Sequence, residues 1–208
     1  MANIFPKSKV REKAKEVPTE QILPFIDIIK CWQDDYHHGS LKTDKETSRE
    51  QSYNHDFLIT MLGYTCKPSK EWTFEPQPST IVGQRPDAIL SNADEANVFA
   101  VVELKGAGVS IDRPQKREGN MSPIQQAFKY KPLYRHCPFV IVSNFWEFRL
   151  YQDNQLDYEV WTLDDLANPE NDYVNFKSWY VLLCAENFIA KSGNSATEKL
   201  LSEVREEQ

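Results

Sequence analysis

The stretch VFAVVELK, residues 98–105, decides how this chain is read. It is apolar over 98–102 and again at Leu104, the pattern of a strand buried on both faces in the middle of a helix-covered sheet. The strand ends in Glu103, Leu104 and Lys105. Strand side chains alternate, so Glu103 and Lys105 share one face and Leu104 takes the other. Two opposite charges at the end of so apolar a strand are costly unless something compensates them.

Upstream, 81–90 reads as a second strand, edge-like or bulged because Pro86 lies inside it, and 91–97 as the polar turn joining it to the first. Residues 72–75 form a short strand broken by Pro-Gln-Pro. Before the sheet come two helices. One starts at Thr19, carries Ile22, Phe25, Ile26, Ile29 and Trp32 at helical spacing, tolerates Pro24 in its first turn, and stops near Tyr36. The other opens with a Thr43–Glu46 capping box, buries Tyr53, Phe57, Leu58, Met61 and Leu62, and ends at Gly63.

Downstream, 106–121 holds three glycines and many charges and reads as a mobile loop. Ser122-Pro123 caps a short helix that Pro132 must end. Residues 139–143 and 145–151 are strands flanking Asn144, with Trp146, Phe148 and Leu150 alternating with Glu147 and Arg149 in the second. A further strand at 156–161 and an apolar helix at 176–190 complete the core. The fold class is α/β in the α+β sense, a mixed sheet with flanking helices. Residues 1–18, polar and lysine-rich, are expected to be a flexible arm, 19–190 one domain, and 191–208 the start of a helical connector. Its stripe of Thr197, Leu200, Leu201 and Val204 ends in mid-pattern, which implies a fragment or a partner covering it.

The 208 residues suit one domain, and 40% hydrophobic with 12% aromatic content excludes global disorder. No apolar run is long enough to span a bilayer and no secretory signal opens the chain, so the expectation is a cytoplasmic protein with no membrane partner. A net charge of −7 argues against a domain that grips DNA mainly by neutralising phosphates, but not against a catalytic module tethered to a separate DNA reader. Cys31, Cys66, Cys137 and Cys184 lack zinc-ligand spacing and are expected to be reduced and mostly buried. His37-His38 reads as a solvated turn.

The chemistry gathers around the end of the buried strand. Arg85-Pro86-Asp87-Ala88 lies in the strand that should pair with it, so a hairpin can bring Asp87 beside Glu103 and Lys105. Two carboxylates suit a hard divalent cation, since magnesium takes one or two carboxylates plus water and phosphate oxygens, and Lys105 can orient or activate a water. A salt bridge at a strand end is the other reading of this triplet. On the following helix Gln126 and Tyr130 stand one turn apart on one face.

With Pro86-Asp87, Glu103-Leu104-Lys105 and the Gln126-x-x-x-Tyr130 helix in place, the chain resembles the PD-(D/E)xK nuclease superfamily. More closely, it is similar to the N-terminal nuclease domain of single-chain restriction-modification enzymes in which nuclease and DNA methyltransferase are fused, the type IIG group. That similarity rests on residues 87–90, 101–106, 112–115, 123–130 and 140–145, within about half of the chain. The resemblance implies a restriction-endonuclease-like core, hydrolysis of double-stranded DNA, and Mg2+ as cofactor with Mn2+ able to replace it. It also implies Asp87 and Glu103 as metal ligands, Lys105 and Gln126 as further catalytic residues, and Tyr130 behind them.

The superfamily often adds an acidic residue from the helix before the sheet. Glu46 and Glu50 are candidates, and Glu50 is preferred for the catalytic and metal set because Glu46 is occupied in the capping box. Arg113 and Gln115, in the loop, are weaker candidates for touching DNA. So are Ser143 and Asn144, which would reach the phosphate or hold Gln126, with a tight turn as the alternative. No Asn-Pro-Pro-aromatic methyltransferase motif is present, the nearest string being Asn168-Pro169-Glu170-Asn171. The resemblance therefore implies that the methyltransferase and specificity regions lie downstream. A silent regulatory module with the nuclease fold, and a repair or RNA nuclease, are the readings from other classes.

Overall fold

The structure, a computed structural model, describes residues 3–79, 85–93 and 97–206, with the backbone alone over 202–206. Four helices come first: α1 (Lys7–Lys15), α2 (Thr19–His37), α3 (Ser40–Thr43) and α4 (Glu46–Tyr53), the last running on as a π-helical segment, Asn54–Met61. Strands β1 (Phe74–Pro76), β2 (Ala88–Ser91) and β3 (Val98–Leu104) follow, then α5 (Pro123–Tyr130) and β4 (His136–Ser143), β5 (Glu147–Tyr151) and β6 (Tyr158–Thr162). Helices α6 (Leu163–Ala167), α7 (Glu170–Leu183), α8 (Ala185–Phe188) and α9 (Ala196–Glu206) close the order.

The result is a mixed α/β fold with flanking helices. Its six-stranded sheet runs β1-β2-β3-β4-β5-β6, antiparallel at every junction except the parallel β3–β4 pair, which the segment containing α5 connects. Every residue of β3 is buried, as its unbroken apolar run requires. On one face Ala88, Leu90, Ala100, Val102, Leu104 and Ile141 join the larger core with α2, α4 and α7. On the other Ile89, Val101, Val140 and Val142 pack under Ile124 and Ala127 of α5.

Several expectations change. The arm is no flexible tail: Phe5, Val10 and Ala14 are buried, α1 packs along α7, and the Phe5 amide donates to Glu159 Oε1 at 3.1 Å. Three buried apolar residues four or five apart fix the segment, while Lys7, Lys13 and Lys15 stay exposed. The Thr43–Glu46 capping box is absent, because α3 ends at Thr43 and α4 starts after Lys45. Loop 106–121 is packed, with Ala107 and Ile111 buried and Gln115 bridging to Met121.

The second strand starts only at Ala88, and residues 81–84 of the expected span, like 94–96 of the turn, lie outside the described residues. The helix expected at 176–190 breaks at Cys184 into α7 and α8. In the α9 stripe Thr197, Leu200 and Leu201 are buried by this chain itself, and the Thr197 hydroxyl donates to Leu182 O at 2.7 Å; the side chain of Val204 lies outside the described residues. All four cysteines are free, but Cys31 is exposed and Cys66 half-buried, against the expectation that most are buried. His37 is the last residue of α2 and contacts Asp164 at 3.2 Å. Among the described residues no helix is long and apolar enough to cross a membrane.

Candidate active site

Sheet register decides where the charged side chains go. Ala88 pairs with Val102 and Ile89 with Val101, so Asp87, one step before β2, comes level with Glu103. Ile89 and Val101 face α5, and by the two-residue period Asp87, Glu103 and Lys105 turn toward the same side. The carboxylate of Asp87 crosses to β3 and accepts the Leu104 N–H at 2.7 Å. Lys105 Nζ stands 2.7 Å from Glu103 Oε1, the glutamate buried and the lysine partly buried. The Lys105 amide donates to Ser143 O at 2.8 Å, so the parallel β4 strand holds the backbone that carries the triplet.

From the other layer, α4 hangs its first turns over the strand end. Glu46 Oε2 accepts the Gly106 N–H at 2.8 Å, while Glu50, one turn on, is half-buried within reach of the charges of Asp87, Glu46 and Lys105. Both glutamates therefore border the site. The sequence argument that occupied Glu46 with a cap falls with the cap.

The electrostatics follow from burial. Glu103, 3% exposed, has its carboxyl pushed up to about 8, first by loss of solvent and then by the charge of Asp87, with Lys105 pulling it back. Asp87 is raised by burial, tempered by the Leu104 N–H and by Lys105. Glu50 is raised by burial and then by Asp87 and Glu46. For Lys105 burial pulls downward, but Glu103, Asp87 and Glu46 outweigh it, so its amine is held above the ordinary lysine range and stays charged. Four carboxylates thus surround one cation.

Helix α5 covers this group. Its Ser122 cap and Gln125 form a complete capping box, with Pro123 in the first turn, as the sequence requires. Gln126 is 2% exposed, yet its amide donates to Met121 O at 3.5 Å, within its own helix start, and none of its described hydrogen bonds reaches Lys105 or the carboxylates. For Tyr130, burial raises the hydroxyl, and the charges of Glu103 and Asp87 raise it further.

The weaker candidates separate. Ser143 is committed to the fold, its hydroxyl 2.8 Å from Tyr53 OH and accepting the Phe145 N–H. Asn144 accepts from Trp146 and Glu147 and donates to Val109 O, so both residues take part in the tight turn that was the alternative reading. Arg113 is exposed, and Gln115 forms the base of a small hairpin with Met121.

Reading from sequence gave Arg149 no role beyond its place in the alternation of the strand. It is buried, and its guanidinium forks onto Asp112, with further hydrogen bonds to Glu147 and Tyr151. The available signal was β5 itself, whose neighbour β4 is apolar on both faces, so that the polar positions of β5 could not all face water.

Among the described residues no three His, Cys, Asp or Glu side chains form a set able to hold a metal ion as placed. Magnesium asks less of a protein, because one or two carboxylates suffice when water and phosphate supply the rest. Asp87 and Glu103 are hard oxygen donors side by side, and a carboxylate offers about four acceptor positions, more than the contacts above use. The negative charge that raises Glu103 is also what a cation would relieve, so the donor set fits Mg2+. No protein-family model, curated protein or solved structure matches the chain.

Proposed function

We propose that this chain is a magnesium-dependent DNA endonuclease domain built on a PD-(D/E)xK core, and that it works as part of a restriction-modification protein with methyltransferase and specificity regions downstream. The observation that carries the reading is the placement of Asp87, Glu103 and Lys105 on one sheet face at the end of β3, with the Glu103–Lys105 contact at 2.7 Å. The link to a methyltransferase rests on the resemblance alone.

Asp87 and Glu103 would hold Mg2+, and Glu50 or Glu46 would hold waters around it. A bound divalent cation supplies Lewis acidity toward a phosphate oxygen and a lowered pKa for water. Lys105 enters as a cation: its raised pKa keeps three donors on the amine at neutral pH, so it orients a water or a phosphate oxygen and does not act as general base. Asp87, pinned by the Leu104 N–H, keeps its geometry without help from the ligand. Tyr130 keeps its hydroxyl protonated, since burial and the charges of Glu103 and Asp87 hold it above its ordinary value. Hydrolysis here is a direct displacement and needs no covalent intermediate.

The test is cleavage of plasmid DNA by the chain in MgCl2. Parent cleavage that EDTA abolishes and that Asp87→Ala and Lys105→Ala each reduce by at least about 100-fold is expected, in line with loss of a positioned charged group. A Lys105→Ala chain cutting near the parental rate would refute the mechanism.

A further inference from the structure

Residues 106–121 run from the carboxyl side of Lys105 to the cap of α5, so both ends of this loop belong to the site. Loops of such length without regular structure are uncommon in a small domain and, when ordered, are usually functional. This one is fastened at four places: Gly106 N–H to Glu46, Val109 O to Asn144, Met121 O to Gln126, and Asp112 to Arg149.

The last fastening is the strongest. Arg149 Nη1 meets Asp112 Oδ1 at 2.7 Å and Nη2 meets Oδ2 at 3.0 Å, a two-pronged contact that fixes orientation as well as position. The guanidinium is buried on the α5 face of the sheet while Asp112 is exposed, so a rooted cation holds a surface loop. Beyond Asp112 the loop turns back on itself as a hairpin. Gln115 N–H donates to Met121 O at 2.9 Å, residues Lys116–Glu118 form a 3-10 turn, and Gly119 takes φ +64°, which favours glycine.

Arg113, Lys116 and Arg117 project from this hairpin into solvent. The hairpin closes at Met121, whose carbonyl also accepts from Gln126 of α5, and at its other end the loop is held by Glu46 through the Gly106 N–H, so the loop borders the site at both ends. The carboxylates of the site repel a phosphate backbone, and Arg113, Lys116 and Arg117 are the exposed cations carried by the loop that joins Lys105 to α5.

We propose that the hairpin at 112–121 is the phosphate clamp of the site: Lys116 and Arg117 grip duplex-DNA phosphates flanking the scissile bond, and the Arg149–Asp112 fork is the positioning device that aims them. This rests on the nuclease reading above. Lys116 and Arg117 touch substrate; Asp112 and Arg149 act through the hairpin.

The test uses the full chain with a short fluorescent DNA duplex in MgCl2, titrated over a range of salt, alongside steady-state cleavage and a calorimetric Mg2+ titration. For Lys116→Ala/Arg117→Ala the slope of log affinity against log salt falls by about 2, and low-salt affinity drops at least about tenfold. KM rises correspondingly, while kcat and Mg2+ affinity stay within about twofold. Asp112→Asn raises KM in the same direction and Asp112→Glu restores it, a split that a merely structural aspartate would not give. If the parent cleaves and binds Mg2+ but the double variant keeps its salt slope and KM, the clamp is overturned and the nuclease reading stands. An Asp112→Asn chain with parental KM overturns the latch. A parent that neither binds Mg2+ nor cleaves overturns the nuclease reading and the clamp with it.

Discussion

Glu103 gives the protein a measurable pH signature before any ligand is added. Its carboxyl is raised from 4.5 to about 8 in the fold, by burial first and by Asp87 second. Between those values the folded chain keeps a proton that the unfolded chain has released. Stability from this group is therefore full below about pH 4.5, declines as pH rises, and is lost once pH passes about 8. At about 1.4 kcal/mol per pH unit over that interval, the loss is at most about 5 kcal/mol. Asp87, Glu50 and Glu159 are also raised and add slope of the same sign, whereas Lys105 is raised above 10.5 and contributes no slope in this window. The lowered carboxylates Asp112 and Asp172 act only below 3.8. Glu103→Gln isolates the effect. Urea unfolding of parent and variant in EDTA, at pH 5 and pH 8.5, gives two differences in stability, and subtracting them removes the fixed cost of the substitution. The variant should gain on the parent by several kcal/mol between the two pH values. A difference that stays constant across that range would show that Glu103 ionises normally and that the charges are not concentrated as described.

Other perturbations separate the neighbours of this group. Glu46→Ala deprives the Gly106 N–H of its acceptor and should cost about 1 kcal/mol, while Glu50→Ala should leave thermal stability intact and weaken Mg2+ binding by calorimetry; equal effects of the two would reject the distinction. Phe5→Ala should lower unfolding stability by about 3 kcal/mol, and a cost near zero would return the N-terminal segment to a loose tail. Tyr53→Phe and Ser143→Ala should cost about 1 and about 2 kcal/mol, the second more because the Phe145 N–H also loses its acceptor. The double variant should cost less than their sum, and strict additivity would deny the shared hydrogen bond.

What could be read in advance was what local pattern and strand parity determine. The apolar run at 98–102 defined the central strand, the alternation after it put Glu103 and Lys105 on one face, and Ser122-Pro123 marked the start of α5. What escaped was what only tertiary placement determines. Glu46 looked like a cap because Thr43 stood three residues before it, but the chain turns between them and the carboxylate reaches 60 positions along to Gly106. The alternation of β5 shows no role for Arg149, yet α5 and loop 106–121 cover that face and supply Asp112. Lysines concealed the α1 helix, since its buried residues are only Val10 and Ala14. Gln126 and Tyr130 share a helix face, but a shared face does not set hydrogen-bond partners, and the amide of Gln126 bonds to Met121 O.

The cost of the arrangement argues for a ligand. A buried ion pair is weak grounds for stability, because apolar residues of similar volume often serve as well or better. Here the pair is not balanced: Lys105 faces Glu103 and Asp87, with Glu46 and Glu50 at the border, and three of these four carboxylates are raised by their surroundings. A fold selected only for its core would spare itself that strain at the end of β3, where Leu104 already packs on the opposite face. Strong shifts from burial combined with specific charge partners mark functional sites more often than structural ones. On the nuclease reading proposed above, a divalent cation would balance this group and a phosphate would complete that cation's shell.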